Sequence, residues 1–587
     1  MDKRWRILPH DAEQIRRLEQ TAGVSAVVAQ LLLCRGVTCP ADARVFLEAK
    51  LNTLRDPELL PGLTDAADRI HAAVAAGRRV VIYGDYDADG MTGTAILFRC
   101  LKLLGADVGY HVPCRLLDGY GLHDDALRKL ADRGASLVIS VDCGITSCQA
   151  AELASQLGLE LIVTDHHQLG TQLPSAAALV HPALPGSDYP FTGLCGAGVA
   201  FKLAWALCQR ASEAKRVRPA MREFLMAAMG LAALGTVADV VPLIDENRVL
   251  VRHGLVSLRQ RPVPGIAALM KLTGLDQKPA LGGEDIGFTL APRLNAAGRL
   301  GQALLGVELL TTDSEDRATS LAEYLNQLNS SRDSLERSVY QAALKQAREQ
   351  FDPHGDPALV LDGVDWHPGV IGIVAGRLAE RFHRPVVMIS WDRVGAKPGI
   401  GSCRSAGGFD LYQALRHCGE YLLSHGGHCQ AAGLKLERSS LDAFRVAFCE
   451  HAAEEISLQD QVAEIRIDAE ATFSQLTPGT LAEIERMAPF GQSNPRPVIC
   501  ASGVELASPP QRMGQGERHL TVRLKHFGCT LRGVAFGRGE AADELASIEG
   551  AMDVAFRPVI NEYRGRRSVE VHLLDWRPSR APVVATR

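Results

Sequence analysis

Short β-branched runs alternate with amphipathic stretches from residue 76 to about residue 240. Arg79-Val80-Val81-Ile82-Tyr83 is apolar throughout after its first residue, which predicts a strand buried on both faces. A helix is expected over residues 92–104. Leu137-Val138-Ile139-Ser140-Val141 and Leu161-Ile162-Val163 repeat the buried-strand pattern, and residues 177–180 are a fourth candidate. Strands of this kind separated by helices predict βαβ units and a parallel sheet.

The pattern changes further along. In residues 313–352, Leu321, Leu325, Leu328, Leu335, Val339, Ala342 and Ala343 recur at helical spacing, with no Gly or Pro between them. A helix this long, about 50 Å at 1.5 Å per residue, reads as a strut joining two globular parts. A second α/β region is expected over residues 353–456, with strands near 358–361 and 385–389. After a polar helix near 477–487 and the loop 489–495, short alternating strands predict a small β-barrel. The expected division is a helical extension over 1–75 packed on the first domain, an α/β domain over 76–312, the strut over 313–352, the second α/β domain over 353–456 and an OB-like barrel over 457–587. A chain of 587 residues needs several such cores.

Composition narrows the class. Hydrophobic residues are 47% and charged residues 22%, the balance of a folded chain. The longest apolar stretch, residues 224–238, is shorter than the ~18–20 residues a bilayer requires, so no membrane span is expected. The start, MDKRWRILPH, lacks an apolar h-region, which predicts a cytoplasmic location. Fourteen cysteines without a C-x-x-C pair predict reduced, mostly buried thiols. Net charge is −5, yet arginine outnumbers lysine 51 to 12, a bias toward fork-shaped phosphate contacts that high-GC codon usage would equally produce.

The densest chemistry is Gly84-Asp85-Tyr86-Asp87-Ala88-Asp89-Gly90. Three carboxylates within five residues, directly after a buried strand, repel one another unless a cation neutralises them. The second strand likewise runs into Asp142-Cys143-Gly144 and the third into Asp165-His166-His167, while His181 follows the fourth and Asp239 closes a long apolar run. Ligands in open parallel sheets bind at the carboxyl ends of the strands, so these groups can converge on one crevice. Oxygen ligands with one or two imidazoles suit Mn²⁺ or Mg²⁺ better than thiolate-bound zinc.

In order and spacing, Gly84–Gly90, Val141–Gly144, Asp165-His166-His167 and Gly235–Leu243 resemble the four motifs of the DHH phosphoesterase superfamily. The segments 369–377, Gly401-Ser402-Cys403-Arg404-Ser405 and Gly426-Gly427-His428-Cys429-Gln430-Ala431-Ala432-Gly433 resemble its accessory DHHA1 domain. Pro292-Arg293-Leu294-Asn295-Ala296-Ala297-Gly298-Arg299 resembles a segment particular to the single-strand-specific exonuclease branch.

The resemblance implies a pair of divalent cations with Asp142 shared between them. Asp87, helped by Asp85, would hold one ion; Asp89, His166 and Asp239 would hold the other, with His166 and Asp142 central to catalysis. His167 would touch the scissile phosphate or act as general acid. Arg115, Ser402 and Arg404 would take the 5′-terminal phosphate, Arg293 and Arg299 the nearby backbone, and the glycine-rich loop ending in His428 further phosphate. The implied activity is 5′→3′ hydrolysis of single-stranded DNA in repair and recombination, by a monomer that meets a single-strand-binding protein and a helicase.

Between Gln511 and Gly537, Arg512, Arg518, Arg523, Lys525 and Arg532 face only Glu517, with Arg564, Arg566 and Arg567 beyond. Interleaved with His519, Phe527, Phe536 and Tyr563, this pattern suits a barrel that tracks single strands by charge and stacking; a solvated barrel face would read the same. Two alternatives stand beside the exonuclease: a phosphodiesterase of short oligonucleotides or cyclic dinucleotides, and a DNA-binding replication factor without catalysis.

Overall fold

A computed structural model describes residues 3–352, 355–405, 407–456, 463–563 and 566–579. The chain forms two compact units, one of residues 1–50 with 463–587 and one of residues 51–462. The N-terminal part comprises β1 (Arg4–Ile7), α1 (Ala12–Leu18), α2 (Ala26–Leu33) and α3 (Pro40–Glu48). Asp11 caps α1, its Oδ1 accepting from the backbone N–H of Glu13 and Gln14 at 3.0 Å each. The expected extension over 1–75 is thus corrected. Residues up to Lys50 belong with the C-terminal domain, and only the remainder stays with the first α/β domain.

The second unit begins with α4 (Leu63–Ala75). There follow β2 (Val80–Gly84), α5 (Ala88–Leu103), β3 (Val108–His111), α6 (Asp124–Asp132), β4 (Leu137–Val141), α7 (Cys148–Gln156), β5 (Glu160–Thr164) and β6 (Ala178–Val180). The strands form one parallel sheet in the order β3-β2-β4-β5-β6. Side chains alternate between its faces. Ile82, Ile139 and Ile162 enter one core with α4 and α5, whereas Val81, Val138 and Val163 enter another with α6 and α7. Burial on both faces explains the unbroken apolar runs.

Next come α8 (Gly196–Ser212), α9 (Pro219–Ala238), α10 (Asp245–Gln260), α11 (Pro264–Thr273) and the single turn α12 (Gly283–Asp285). A π-turn, Ile286–Leu290, leads into α13 (Ala291–Arg299) and then α14 (Ala303–Thr311). The apolar run read as too short for a membrane lies within α9, whose 20 residues meet the length and composition of a span. Here α9 packs against α5, α8 and α10, and its Leu231, Ala232, Ala233 and Leu234 are buried in the domain core.

The strut is α15 (Glu315–Gln350), and it serves two cores. Leu321, Ala322 and Leu325 join that of the first domain; Val339, Ala343, Leu344 and Ala347 join that of the second. Leu335 and Ala342, expected on the apolar stripe, are exposed.

The second α/β domain contains β7 (Leu359–Val364), α16 (Pro368–Phe382), β8 (Val386–Trp391), β9 (Gly399–Arg404), α17 (Leu411–His417), β10 (Ser424–Gly427), β11 (Ala431–Leu436) and α18 (Leu441–Glu455). Its sheet runs β10-β11-β9-β8-β7, parallel only between β7 and β8. The glycine-rich stretch ending in His428, expected as a loop, is largely strand, as is the Gly401–Arg404 segment. Gly401–Arg404 lies in β9, and Gly426 of β10 faces Gly433 of β11, which in turn pairs with Ser402.

The first unit closes with β12 (Glu464–Ile467), paired in parallel with β1, then β13 (Ala469–Glu470) and α19 (Pro478–Arg486). Strands β14 (Ile499–Met513), β15 (His519–His526) and β16 (Cys529–Ala535) follow, then α20 (Ala542–Ala546), β17 (Met552–Tyr563) and β18 (Arg566–Pro578). Pairing of β14 with β17 closes β14-β15-β16-β18-β17 into a barrel. Arg523 and Arg532 stand directly opposite one another on β15 and β16. Arg512 is paired with Asp543 at 2.7 Å and Arg532 with Glu570 at 3.0 Å, which offsets part of the expected basic face. Phe527 and Phe536 are exposed. Arg564 and the side chains of Tyr563 and Arg566 lie outside the described residues. All fourteen cysteines are free; seven are buried and Cys429 is exposed.

Candidate active site

The end of β2 delivers Asp85, and the turn after it makes Asp87 the N-cap of α5. Oδ1 of Asp87 accepts from the N–H of Asp89 at 2.9 Å and of Gly90 at 3.0 Å. Gly90 permits the tight turn, since a Cβ there would lie 2.7 Å from Asp85 Cβ. Asp89 reaches the N-terminus of α8, where Gly196 N–H donates to its Oδ2 at 2.6 Å and Ala197 N–H to its Oδ1 at 2.9 Å. A helix N-terminus favours negative charge. Asp142, at the end of β4, adopts a left-handed backbone (φ 65°).

After β5, Asp165 folds back on its own turn. Its Oδ1 accepts from His166 N–H at 2.7 Å and His167 N–H at 3.1 Å and lies 2.8 Å from His167 Nδ1; its Oδ2 accepts from Ile145 N–H at 2.9 Å. His181 Nε2 lies 2.8 Å from the His167 carbonyl oxygen, so this imidazole braces the turn rather than joining the cluster.

The dispersed groups converge. His166 Nε2 stands 3.0 Å from Asp142 Oδ1, 3.5 Å from Asp239 Oδ2 and 3.8 Å from Asp89 Oδ2, while His167 Nδ1 is 3.8 Å from Asp142 Oδ1. Three sets have ligand atoms within 4.8 Å of one another: Asp85, Asp87 and Asp142; Asp89, His166 and Asp239; and Asp142, His166 and His167. Asp142 belongs to two of them. Asp85 Oδ1, Asp142 Oδ1 and His166 Nε2 are buried without a hydrogen-bond partner. Buried polar atoms left unpaired are costly, and a carboxylate-rich donor set with one or two imidazoles fits hard divalent cations.

The electrostatics agree. Burial, then the charge of neighbouring carboxylates, pushes Asp85 and Asp142 well above the usual carboxylate range, Asp89 to about 6 and Asp239 to about 9. Burial and His167 hold His166 down to about 3. Burial opposes charge on both His167 and Asp165, but their mutual hydrogen bond and attraction outweigh it, taking His167 up to about 9 and Asp165 down to about 2.

Beside these groups, between the two α/β domains, is a cleft of about 500 Å³ lined by Tyr86, Arg115, Ser402, Arg404, Gly426 and Gly433, among others. Arg115 lies 5.0 Å from the Tyr86 ring centroid, and Arg404 Nη1 donates to Ser402 Oγ at 3.1 Å. Burial, then the charges of Arg115, Arg404 and Arg332, brings Arg299 down to about 10. Cations held this close favour an anion between them. Arg293 stands apart, donating to Asn326 Oδ1 at 2.9 Å and the Thr289 carbonyl at 2.6 Å. His428 Nδ1 lies 3.1 Å from Gln168 Oε1, and Arg299 Nη1 donates to the Gly369 carbonyl at 3.1 Å, so two bridges join the domains.

Comparison with known proteins finds three domain families in succession along the chain. Residues 79–232 match the model of the DHH family N-terminal domain, 355–454 the DHHA1 domain and 467–575 the RecJ OB domain. The single-stranded-DNA-specific exonuclease RecJ of Dickeya dadantii is 38% identical over 93% of this chain and 95% of its own length. The chain belongs to the RecJ family. A crystal structure of Thermus thermophilus RecJ with Mn²⁺ shares 32% identity and a TM-score of 0.83, covering 98% of this chain and 80% of that one. The corresponding Mg²⁺ complex has a TM-score of 0.77 at 32% identity, covering 98% and 79%.

Within this RecJ-family fold, four residues to which the sequence pattern assigned no role contribute. Asp165 orients His167. The Tyr120 hydroxyl donates to the Asp142 carbonyl at 3.1 Å and lies 3.0 Å from His167 Nδ1. Asn295 Oδ1 accepts from Ala88 N–H at 2.8 Å, fixing the turn between Asp87 and Asp89 from across the domain. Arg332 of α15 helps lower the Arg299 guanidinium, while its own is paired with Glu336 and Asp333 and held by Asn329. Only Asp165 had a local signal, its place at a strand end beside two histidines.

Proposed function

We propose that this chain is a two-metal exonuclease that hydrolyses single-stranded DNA from the 5′ end. The observation that carries the reading is the convergence of the three ligand sets around the unpaired Asp85 Oδ1, Asp142 Oδ1 and His166 Nε2. Asp85, Asp87 and Asp142 would hold one cation, and Asp89, Asp142, His166 and Asp239 the other. When bound, paired Mn²⁺ or Mg²⁺ ions supply charge neutralisation at the phosphate and a more acidic water.

The chain's own residues do the rest. His167, kept protonated by Asp165, contacts the scissile phosphate or supplies a proton to the leaving oxygen. Arg115, Ser402 and Arg404 take the 5′ phosphate through charge-assisted hydrogen bonds, and Arg299 adds its charge beside them. If each new end is to be recognised as the last one was, hydrolysis must leave the phosphate on the 3′-side fragment. The bond broken is therefore the one between phosphorus and the 3′ oxygen of the terminal nucleotide. No side-chain nucleophile is required.

Selectivity for single strands follows from the bridged cleft. The Arg299–Gly369 and His428–Gln168 contacts join its two walls, and a cleft of about 500 Å³ holds a few nucleotides of one strand more readily than a duplex with its second backbone. Substrate must then be unwound first, which fits a helicase and a single-strand-binding protein as partners in repair and recombination.

The test is a digest of end-labelled single-stranded, duplex and dinucleotide substrates with Mn²⁺, Mg²⁺ or chelator, repeated with Asp142→Ala. The reading expects metal-dependent release of mononucleotides from the 5′ end of single strands, lost in the variant while DNA is still bound. Turnover by Asp142→Ala, or activity confined to dinucleotides, refutes it.

A further inference from the structure

Phe288 is 82% exposed, and among the described residues no other ring or cation packs on it. Its two neighbours in the π-turn, Ile286 and Leu290, are fully buried. A π-turn carries one residue more than an α-turn, and such bulges often occur at functional sites. The flanking side chains are held in the core while the aromatic ring is pushed into water.

Its position gives the ring a purpose. A Cβ on the preceding residue, Gly287, would lie 3.8 Å from Val237 Cγ1, two residues before Asp239. Val240, on the other side of Asp239, is 65% exposed and has a left-handed backbone (φ 59°), which a β-branched residue adopts only under strain. Val240, next to Asp239 in the chain, and Phe288, whose neighbour Gly287 packs near Val237, are thus both presented to solvent close to this end of α9.

Helix α13 sets the direction. It leaves Phe288 at one end, fixes the Asp87–Asp89 turn through Asn295 in its middle, and ends at Arg299 beside the field of Arg115 and Arg404. At 1.5 Å per residue, about 16 Å separates Phe288 from Arg299. The candidate metal site lies between the aromatic end and the arginine end.

We propose that Phe288 is a stacking platform for a nucleobase on the 3′ side of the scissile phosphate. This rests on the exonuclease reading above. A strand whose 5′ phosphate sits among the arginines crosses the metal-site carboxylates and then meets the ring. At ~3.4 Å per stacked nucleotide, and more when extended, the base it receives falls within about the first five nucleotides. Stacking tolerates any base, because every base has a π-face, so the platform holds the strand in register without reading its sequence.

The experiment is an abasic scan. Single-stranded oligonucleotides with a 5′ phosphate carry one abasic residue at each of the first six positions, and initial kcat/KM is measured for the parent chain, Phe288→Ala and Phe288→Trp. The parent should lose about tenfold at one position, or two adjacent ones, beyond the scissile bond. Phe288→Ala should show a similar loss on intact DNA and indifference to that abasic position, whereas Phe288→Trp should behave like the parent. In an Asp142→Ala background, 2-aminopurine at the same position should be quenched on binding, and Phe288→Ala should abolish the quenching. An unchanged abasic profile and unchanged quenching in Phe288→Ala overturn the platform while leaving the exonuclease reading intact. Failure of the parent chain to cleave intact single strands overturns both.

Discussion

Asp165 Oδ1 lies 2.8 Å from Nδ1 of His167, and the pair is tied to its own turn by two backbone N–H groups. The contact fixes which ring nitrogen faces the carboxylate, so that in the proposed mechanism Nε2 is the position that meets substrate. His167→Ala should lower kcat by about 10²–10⁴, the range for a positioned acid or base.

Asp165→Asn separates charge from shape. It keeps the size of the side chain and removes the charge that holds His167 at about 9. A raised histidine contributes stability that is complete below its ordinary value of 6.5 and lost as pH rises through about 9. NMR titration of the metal-free protein should therefore show the His167 midpoint falling in Asp165→Asn, and the alkaline limb of the kcat profile should move to lower pH. An unmoved limb would mean that His167 is not the titrating acid.

Metal binding should be strongly proton-linked. Asp89 at about 6 and Asp239 at about 9 hold protons in the metal-free fold that the unfolded chain, near 3.8, has already released. The metal-free protein should thus lose stability as pH climbs from about 4 to about 9, since there the folded state binds more protons. Mn²⁺ must displace those protons, so its affinity should rise across the same window. Calorimetry in buffers of different ionisation enthalpy would count the protons released. At a hundred times Kd, Mn²⁺ should stabilise the fold by about 2.7 kcal/mol, seen as a chelator-reversible rise in Tm.

Gly196 is needed for close approach at the candidate metal site. A Cβ there would lie 2.6 Å from Asp142 Cβ and 2.7 Å from its Oδ1, and the same residue donates its N–H to Asp89. Gly196→Ala should displace Asp142 and weaken Mn²⁺ binding by about 10–100-fold, the loss typical of disturbed support around a metal ligand. Circular dichroism should remain that of the parent chain, and titration calorimetry would measure the affinity.

Arg404 tests the phosphate cleft separately. A hydrogen bond to a charged group contributes about 1.5–3 kcal/mol, so Arg404→Ala should lose about tenfold or more in its preference for 5′-phosphorylated over 5′-hydroxyl oligonucleotides. The measurement is the ratio of kcat/KM for the two ends. An unchanged ratio would remove Arg404 from end recognition.

The buried strands were legible from sequence because β2, β4 and β5 are covered on both faces and so written as apolar runs, interrupted in β4 only by the buried Ser140. Strand β3 was missed, since Gly109 and Tyr110 interrupt its four residues. The glycine-rich β9 and β10 read as loops because their glycines suit a turn as well as a sheet edge.

By itself, the amino-acid sequence determined the alternation of strands and helices, the strut and the acidic and imidazole groups at strand ends, all of which are local patterns. Tertiary structure alone decided that residues 3–50 pack with the C-terminal barrel, because pairing of Arg4 with Glu464 has no local signature. It also decided that Asn295 holds Ala88, that Arg332 of α15 acts on Arg299, and that Phe288 is forced outward. Polar and aromatic residues on a helix face look the same in sequence whether they meet water, another helix or a substrate. Their role depends on which distant segment packing brings against them.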